Sequence, residues 1–269
     1  KKKKKLPSVL IPVHFAGQPT LQEEIWKLSK KYKFKIIEDA SHSLGATRKN
    51  HNVGNSRWSD VVISSFHPVK TITCGEGGVS FTKNRDLKDK MMALRTHGIF
   101  KNTKSKNLDN RKQFWYFDQK LLGYNFRLTD IQSALGISQL SKIKKFINKR
   151  KKIRSNYENF FSKNENITNL EINKGNTSTN HLYVIRIIKN EKSIRNKLIE
   201  YLKEKRINLN VHYIPIHYHS YFKKIKNLRK SLPNTERYFD QAISLPIYPD
   251  LKYKEQKYVV DCINDFLSK

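Results

Sequence analysis

One lysine stands just past a buried strand, in an irregular loop that ends in glycines. The β-branched residues 61–63 predict the strand, and Pro68, Lys70 and the pair Gly77 and Gly78 follow it. Pro68 disfavours continued strand pairing, and glycine permits backbone conformations that are closed to other residues. Lys70 is therefore expected at a strand end, where α/β proteins usually keep their chemistry. Taken alone, a single lysine more often belongs to a solvated loop.

A carboxylate follows an earlier strand in the same way. Residues 34–38 predict a short apolar strand, and Asp39 comes at its end, before small and polar residues. Asp39 and Lys70 can then meet above one edge of the same sheet. Such a pair suits pyridoxal phosphate (PLP), because a lysine amine forms a Schiff base with the aldehyde and a carboxylate keeps the pyridine nitrogen protonated. A helix cap or turn is the alternative for Asp39 alone.

Both segments resemble the DegT/DnrJ/StrS family of PLP-dependent sugar-nucleotide aminotransferases. The family-like stretches keep their order over nearly the whole chain and lie at 34–46, 64–78, 95–98, 123–136, 180–183 and 211–217. Residues 41–42 and 242–246 are most similar to aminotransferases of the pseudaminic acid pathway. The resemblance implies an α/β fold of the PLP-dependent transferase type (aspartate aminotransferase-like, fold type I).

The resemblance also implies roles for residues around the cofactor. Lys70 matches the lysine that bonds PLP and moves the substrate proton, and Asp39 matches the partner of the pyridine nitrogen. His42 stands where the family usually has glutamine beside the ring, and Ser65 matches a phosphate-binding hydroxyl. A hydrogen-bonded, half-buried histidine and a simple strand-end serine are the respective alternatives.

Further residues are similar to family residues at a subunit interface and at the substrate pocket. Asn125 resembles the residue that reaches the cofactor phosphate of a neighbouring subunit, and Arg127 resembles a structural or substrate-side partner. The resemblance thus implies a homodimer with a shared active site, and local helix capping is the alternative. His181, Tyr213 and His217 match segments that border the sugar-nucleotide pocket, although their aromatic-rich surroundings are also typical of packing. No metal site is expected.

Two domains are predicted: a PLP-binding large domain at 1–150 and a small α+β domain at 151–269. Family members have a substantial segment before the counterpart of Val9, so we expect a large domain that is truncated at its N-terminus. Only four strands are predicted for its sheet, where the resemblance implies seven. A fragment, a shortened gene product and one half of a split enzyme all stay open.

Local patterns predict the elements that position these residues. Helix starts are indicated by capping boxes of Thr20 with Glu23 and Thr129 with Gln132, and by a cap at Asn84. The second box is expected to begin one long helix through residue 147, before a basic turn at 149–152. The other expected elements are strands at 9–15, 78–82, 181–188 and 207–213, a loop at 101–112, and helices at 192–205, 234–241 and 254–267.

Composition narrows the class of protein. With 54 lysines and arginines against 23 acidic residues, the formal net charge is +31, which can indicate nucleic-acid or membrane binding. The lysines are spread along the chain without a nucleic-acid motif, so compositional bias is favoured, although a positive field would also attract a nucleotide-sugar diphosphate. Two cysteines, Cys74 and Cys262, fit a reducing cytoplasm. No apolar run approaches the roughly 20 residues of a membrane helix, and the basic start is rejected as a signal peptide.

The sequence therefore predicts transamination of a nucleotide-linked keto-sugar. The expected substrate is of the UDP-4-keto-6-deoxy-hexose type, with L-glutamate as the amino donor, in cell-surface glycan or nonulosonic acid biosynthesis. A sugar dehydratase is disfavoured, because those relatives replace the lysine at position 70 by histidine. A non-catalytic binding or regulatory remnant and a basic nucleic-acid-binding protein stay open, and turnover and salt-dependent DNA affinity distinguish them.

Overall fold

The structure is a computed structural model that describes residues 6–101, 115–189, 193–225 and 231–268. These residues form two compact units, which are described separately. The first unit comprises the described parts of Lys1–His14, Pro19–Leu44 and His51–Ser141, and the second those of Phe15–Gln18, Gly45–Asn50 and Lys142–Lys269.

The elements are short strands and helices of moderate length. The strands are β1 (Val9–Leu10), β2 (Lys35–Asp39), β3 (Thr47–Arg48), β4 (His51–Asn52), β5 (Val61–Ser65), β6 (Gly78–Phe81), β7 (Ile99–Lys101), β8 (Phe117–Gln119), β9 (Ile167–Asn169), β10 (Tyr183–Ile187) and β11 (Ala242–Leu245). The helices are α1 (Gln22–Tyr32), α2 (Arg85–Arg95), α3 (Asp130–Leu140), α4 (Ile143–Phe161), α5 (Ile194–Glu204), α6 (Ser220–Lys223), α7 (Pro233–Gln241) and α8 (Tyr253–Leu267). Single 3₁₀ turns lie at Phe15–Gly17 and Ile216–Tyr218.

The first unit is built on a four-stranded sheet in the order β1-β2-β5-β6. The first three strands run parallel, and β6 returns antiparallel beside β5. The alternation of side chains in β2 buries Ile36 and Glu38 on one face and leaves Asp39 half-buried on the other. The predicted strands of this sheet are therefore present, but the strand expected at 9–15 is limited to Val9–Leu10.

The capping box predicted at Thr20 and Glu23 is wrong, because Thr20 takes part in a buried network instead. Helix α1 begins at Gln22 without a side-chain cap. The Thr20 amide donates to Nδ1 of His14 at 3.2 Å, and Nε2 of His14 lies 2.8 Å from Oε2 of Glu38. Because Nδ1 accepts a hydrogen bond, the ring proton sits on Nε2 and is donated to Glu38. The network therefore joins the approach to α1 to the sheet.

The other two helix starts agree with the sequence patterns. Oδ1 of Asn84 accepts from the Leu87 amide at 2.9 Å, and Thr129 and Gln132 form a reciprocal capping box. The prediction of one long helix from Thr129 is wrong, because the helix is interrupted at residues 141–142, between α3 and α4.

The basic turn expected at 149–152 is also wrong, because those residues lie inside α4. Lysine and arginine are good helix formers, so a basic run does not end a helix. Arg150 is buried and donates to the carbonyls of Asn180, His181 and Ile247, at 3.4, 3.2 and 2.7 Å. The domain boundary at residue 150 stays a prediction, and that residue lies in the middle of α4.

The second unit packs helices on a three-stranded antiparallel sheet in the order β11-β10-β9. Its core is apolar and continuous, with Ile185, Leu198, Ile243 and Ile263 fully buried. The strand expected at 207–213 is wrong, because β11 pairs along β10 and residue Asn210 makes only an isolated bridge to β11. Strands β9 and β11 were not predicted. The predicted loop at 101–112 lies outside the described residues except for Lys101, which ends β7.

No helix in the described ranges is both long and apolar enough to cross a bilayer.

Candidate functional site

Two strand ends meet at one edge of the first unit's sheet. Strand β2 ends at Asp39 and its parallel neighbour β5 ends at Ser65, with Asp39 in register with Ile63. Parallel strands present their carboxyl ends on the same side, and this is where open α/β sheets bind ligands. The predicted meeting of these two segments is therefore present.

The carboxylate of Asp39 is held in place by the backbone around it. The Asp39 amide donates to the carbonyl of Pro12, and its carbonyl accepts from the amide of His14. Oδ1 of Asp39 accepts from the Ser41 amide at 3.0 Å, which is the turn contact expected as the alternative role. Among the described residues Oδ2 has no hydrogen-bond partner, so one oxygen of the carboxylate remains for a ligand.

Lys70 lies on a loop whose two ends are hydrogen-bonded together. The Phe66 amide donates to the carbonyl of Gly77 at 2.9 Å, and the Cys74 amide and the Thr73 hydroxyl donate to the carbonyl of Phe66. Inside the loop the Lys70 amide donates to the carbonyl of His67 at 3.0 Å. This closed loop fixes the backbone from which the lysine side chain projects.

Glycine is required where this loop returns to the sheet. A Cβ on Gly78 would lie 2.7 Å from the backbone oxygen of Ser64 in the neighbouring strand. Real Cβ atoms do not approach backbone so closely, hence only glycine permits the pairing of β5 with β6 at this position.

The electrostatics of Lys70 connect it to Asp39. Burial lowers the pKa of the partly buried Lys70 ammonium, and the negative charge of Asp39 raises it in part. An amine with a lowered pKa is neutral more of the time, and the neutral form is the nucleophile. The structure thus brings together the two residues that the sequence singles out first.

Two further residues predicted at the cofactor site, Ser65 and His42, lie close by in the chain. Ser65 is half-buried at the end of β5, and its Oγ accepts from the His67 amide at 3.3 Å. His42 lies three residues after Asp39, in the turn that leaves β2, and its side chain is buried. The strand-end contact of Ser65 is thus present, and both cofactor roles stay predictions.

Asn125 and Arg127 lie on an extended segment that runs antiparallel to the end of α2. Asn125 bridges Thr96, and the Phe126 amide donates to the carbonyl of Arg95 at 2.9 Å. Neither residue caps α3, since Thr129 does so, and the capping alternative is therefore wrong. Arg127 lies in the wall of a cavity of about 980 Å³ that Gly77 and Gly78 also line.

The three predicted substrate residues belong to the second unit. His181 is buried, and its carbonyl accepts from Arg150. Tyr213 is exposed and packs edge-on against Phe15, with ring centroids 6.4 Å apart. His217 is buried, and its Nε2 lies 2.9 Å from Oε1 of Glu236. Their substrate roles stay predictions.

Two structural features were not anticipated from the sequence. One is the buried Arg150, whose pKa burial lowers to about 10 and whose guanidinium joins α4 to three carbonyls. The other is the carboxylate of Glu236, which accepts from the Leu232 amide at 2.7 Å as well as from His217. A single arginine in a basic run, or a lone glutamate, gives no periodic signal by which to find it. Within the described residues no cluster of three or more metal-ligating side chains occurs.

Known proteins resemble this chain along nearly its whole length. Residues 2–264 match the model of the DegT/DnrJ/EryC1/StrS aminotransferase family. A UDP-4-amino-4,6-dideoxy-N-acetyl-beta-L-altrosamine transaminase of Campylobacter jejuni is 37% identical over 257 residues, which cover 96% of this chain and 65% of that protein. The chain therefore spans less than two thirds of the length of this relative.

Solved structures show the same likeness. PseC of Helicobacter pylori, an aminotransferase involved in the biosynthesis of pseudoaminic acid, has a TM-score of 0.87 and 31% identity and covers 96% of this chain and 66% of its own. Spr1654 of Streptococcus pneumoniae, described as a sugar aminotransferase and solved in its PLP form, has a TM-score of 0.85 and 26% identity, with 97% and 68% covered. The predicted fold class is confirmed by these structures, and the chain belongs to the DegT/DnrJ/EryC1/StrS aminotransferase family.

Proposed function

We propose that this chain takes part in PLP-dependent transamination of a nucleotide-linked keto-sugar, with L-glutamate as the amino donor. The observation that supports it most is the electrostatic interaction of Asp39 with a partly buried Lys70 at the carboxyl edge of the sheet. The Campylobacter jejuni relative is a transaminase of a UDP-linked 4-amino-4,6-dideoxy sugar, and this supports the same class of sugar here. A keto-sugar of the UDP-4-keto-6-deoxy-hexose type, in glycan or nonulosonic acid biosynthesis, is therefore the proposed substrate.

The residues at the sheet edge fit this cofactor. Asp39 keeps one carboxylate oxygen without a hydrogen bond among the described residues, as a partner of a protonated pyridine nitrogen requires. Lys70 would hold the aldehyde, and Ser65 and His42 would line the phosphate and the ring. When bound, PLP supplies an electron-accepting ring that stabilises negative charge at the carbon bearing the amine.

The chain's own contribution is to move and place protons. Because burial lowers its pKa, the Lys70 amine gives up its proton more readily than an exposed lysine does, and Nζ can then accept one from a substrate carbon. The charge of Asp39 opposes this shift, and so keeps the amine from losing its proton too readily. Arg127, His181, Tyr213 and His217 are proposed to bind the nucleotide sugar.

Chemical trapping tests this proposal without a need for turnover. The purified chain is incubated with PLP and reduced with borohydride, and the modified lysines are identified by peptide mass spectrometry. We expect the adduct on Lys70, little on the exposed loop lysine Lys83, and loss of the main adduct in Lys70→Ala but not in Lys83→Ala. An adduct spread evenly over surface lysines, unchanged in Lys70→Ala, would contradict the proposal.

We also propose that the active form is a homodimer with a shared active site. Helix α3 has no buried residue, and Ile131 and Ile137 are 84% and 72% exposed. Exposed apolar surface of this kind marks association sites, and Asn125, expected at the subunit interface, lies in the segment that leads to it. The double variant Ile131→Glu, Ile137→Glu should be monomeric by light scattering, whereas Lys88→Glu on exposed α2 should not change the mass.

We propose a cytoplasmic location as well, and the two free cysteines support that location.

A further inference from the structure

A cavity of about 810 Å³ lies wholly within the second unit. One wall is helix α4, and the other is the irregular segment between β9 and β10. Its volume is in the range of small-molecule sites, which run from about 300 to 1,000 Å³. No residue predicted from the sequence as part of the cofactor or substrate site lines it, so the proposed function leaves it without a role.

Seven of the fifteen residues that line the cavity carry an amide or a hydroxyl that can hydrogen-bond to hydroxyl groups, and the carboxylates of Glu158 and Glu171 line it as well. Amides come from four asparagines, which are Asn148, Asn169, Asn176 and Asn180. Hydroxyls come from Ser155, Thr177 and Ser178. Amides and hydroxyls both donate and accept, which is what recognition of a polyhydroxylated ligand requires.

One of these amides is buried, and its oxygen receives no hydrogen bond from the described residues. Asn180 is only 2% exposed, and its Nδ2 lies 3.5 Å from the carbonyl of Ser178. Its Oδ1 has no hydrogen-bond partner among the described residues. A buried acceptor without a donor is costly, so an O–H or N–H from a bound molecule would be favoured there.

The helical wall adds positive charge at a fixed spacing. Lys144 and Lys151 are seven residues apart on α4, so they lie on one face about 10 Å apart along the axis. In the part of the chain that the structure describes, neither has an ion-pair partner. Arg154, by contrast, donates to Glu158 and to the carbonyl of Leu170. Glu171 is the one lining carboxylate that Arg154 does not pair with, so the two lysines exceed it by one positive charge and are the cations that remain for an anionic ligand.

We propose that this cavity binds a sugar phosphate. Lys144 and Lys151 face the phosphate, and Oδ1 of Asn180 accepts from a sugar hydroxyl. The phosphate can belong to a free sugar phosphate or to a nucleotide sugar, because both present the same two groups.

Calorimetric titration of the chain distinguishes these sources and tests the site. The probes are glucose 1-phosphate, UDP-N-acetylglucosamine, inorganic phosphate and methyl glucoside. We expect at least one of the first two to bind, with inorganic phosphate and methyl glucoside each about tenfold weaker or worse, since each lacks one of the two recognised groups. The double variant Lys144→Glu, Lys151→Glu should weaken binding at least about tenfold, because charge-assisted contacts become repulsive.

Matched variants keep the result specific. Lys152→Glu reverses an exposed charge on the same helix outside the cavity and should leave the Kd within about twofold. Ser155→Phe, at an exposed lining position, should block the cavity, and circular dichroism checks that each variant is folded. Arg127→Ala should bind as well as the wild type, which separates this cavity from the proposed nucleotide-sugar site to which Arg127 belongs. Binding lost in Arg127→Ala, unchanged in the double lysine variant, equal for inorganic phosphate alone, or absent for both sugar phosphates would overturn the proposal.

Discussion

The two units differ in how much of their apolar surface is buried. In the second unit every residue of β11 is buried, and α5 and α8 complete a core around Ile185, Leu198 and Ile263. In the first unit both residues of β1 are exposed, and α3 buries none of its residues. The chemistry-bearing pair of Asp39 and Lys70 nevertheless belongs to the first unit.

We infer from this difference that stability depends mainly on the second unit and function mainly on the first. A unit with a continuous core gains most of its folding free energy from burial, at about 25 cal/mol per Å² of apolar surface. A unit that keeps apolar residues on its surface has contacts to offer to another polypeptide. We therefore expect core substitutions to act on the second unit and association and cofactor chemistry to depend on the first.

The largest expected effect is a cavity in the second unit's core. Leu198→Ala should lower the free energy of unfolding by roughly 3–5 kcal/mol, because Leu198 is fully buried and the site cannot close completely. Leu28→Ala, on the exposed side of α1 in the first unit, should change it by less than about 1 kcal/mol. Urea unfolding followed by circular dichroism measures both variants. Equal losses of unfolding free energy would contradict the proposed difference between the units.

A polar contact should be the next most costly to remove. Arg150→Met should lower the free energy of unfolding by about 2–3 kcal/mol, since the buried carbonyls of Asn180, His181 and Ile247 lose a charged donor. Lys152→Met, two residues along the same helix and exposed, should stay within about 0.5 kcal/mol. The same unfolding assay decides, and a neutral Arg150→Met would show that packing alone fixes α4.

Two glycines of the first unit should respond with opposite signs. Gly78→Ala should destabilise by about 2 kcal/mol, because its Cβ would meet the Ser64 backbone oxygen. Gly136→Ala, inside α3, should stabilise by about 0.5–1 kcal/mol, because its Cβ would meet only the Cys74 side chain at 3.5 Å. Thermal melts of both variants give the sign. Destabilisation by Gly136→Ala would mean that α3 is more tightly packed than its exposure indicates.

The smallest effect concerns pH. The pKa of Glu236 is lowered, chiefly by the Leu232 amide and also by His217. A depressed carboxyl pKa contributes stability that is complete above the unfolded value and is lost as the pH falls through the folded value. Hence Glu236→Gln should be less stable than the wild type at pH 7, and the difference should shrink below about pH 4. Unfolding curves across this range check the trend, and a difference that grows on acidification would reverse the assignment.

The sequence was informative where short-range chemistry determines the structure. The β-branched run before Ser65, the strand before Asp39 and the capping box of Thr129 each depend on neighbouring residues, and all three occur in the structure. The electrostatic interaction of Asp39 with Lys70 could be predicted as well, because parallel neighbouring strands end at the same edge.

Predictions failed where distant residues compete. Thr20 was expected to cap α1, but its hydroxyl and amide lie beside His14, which is fixed by Glu38 on another strand. Residues 207–213 were expected to form a strand, but β11, more than 30 positions later, takes the place beside β10. Such competition depends on which segments meet in three dimensions, and periodicity in one segment does not record it.

The most direct test of the central claim is the pKa of Lys70 itself. It can be measured by the pH dependence of competitive acetylation of the Lys70 amine, read by mass spectrometry, in the wild type and in Asp39→Asn. We expect a wild-type pKa below the ordinary lysine value of about 10.4, and a further decrease in Asp39→Asn, because the raising effect of the carboxylate is lost while burial remains. An ordinary pKa that does not respond to Asp39→Asn would contradict a site built on these two residues.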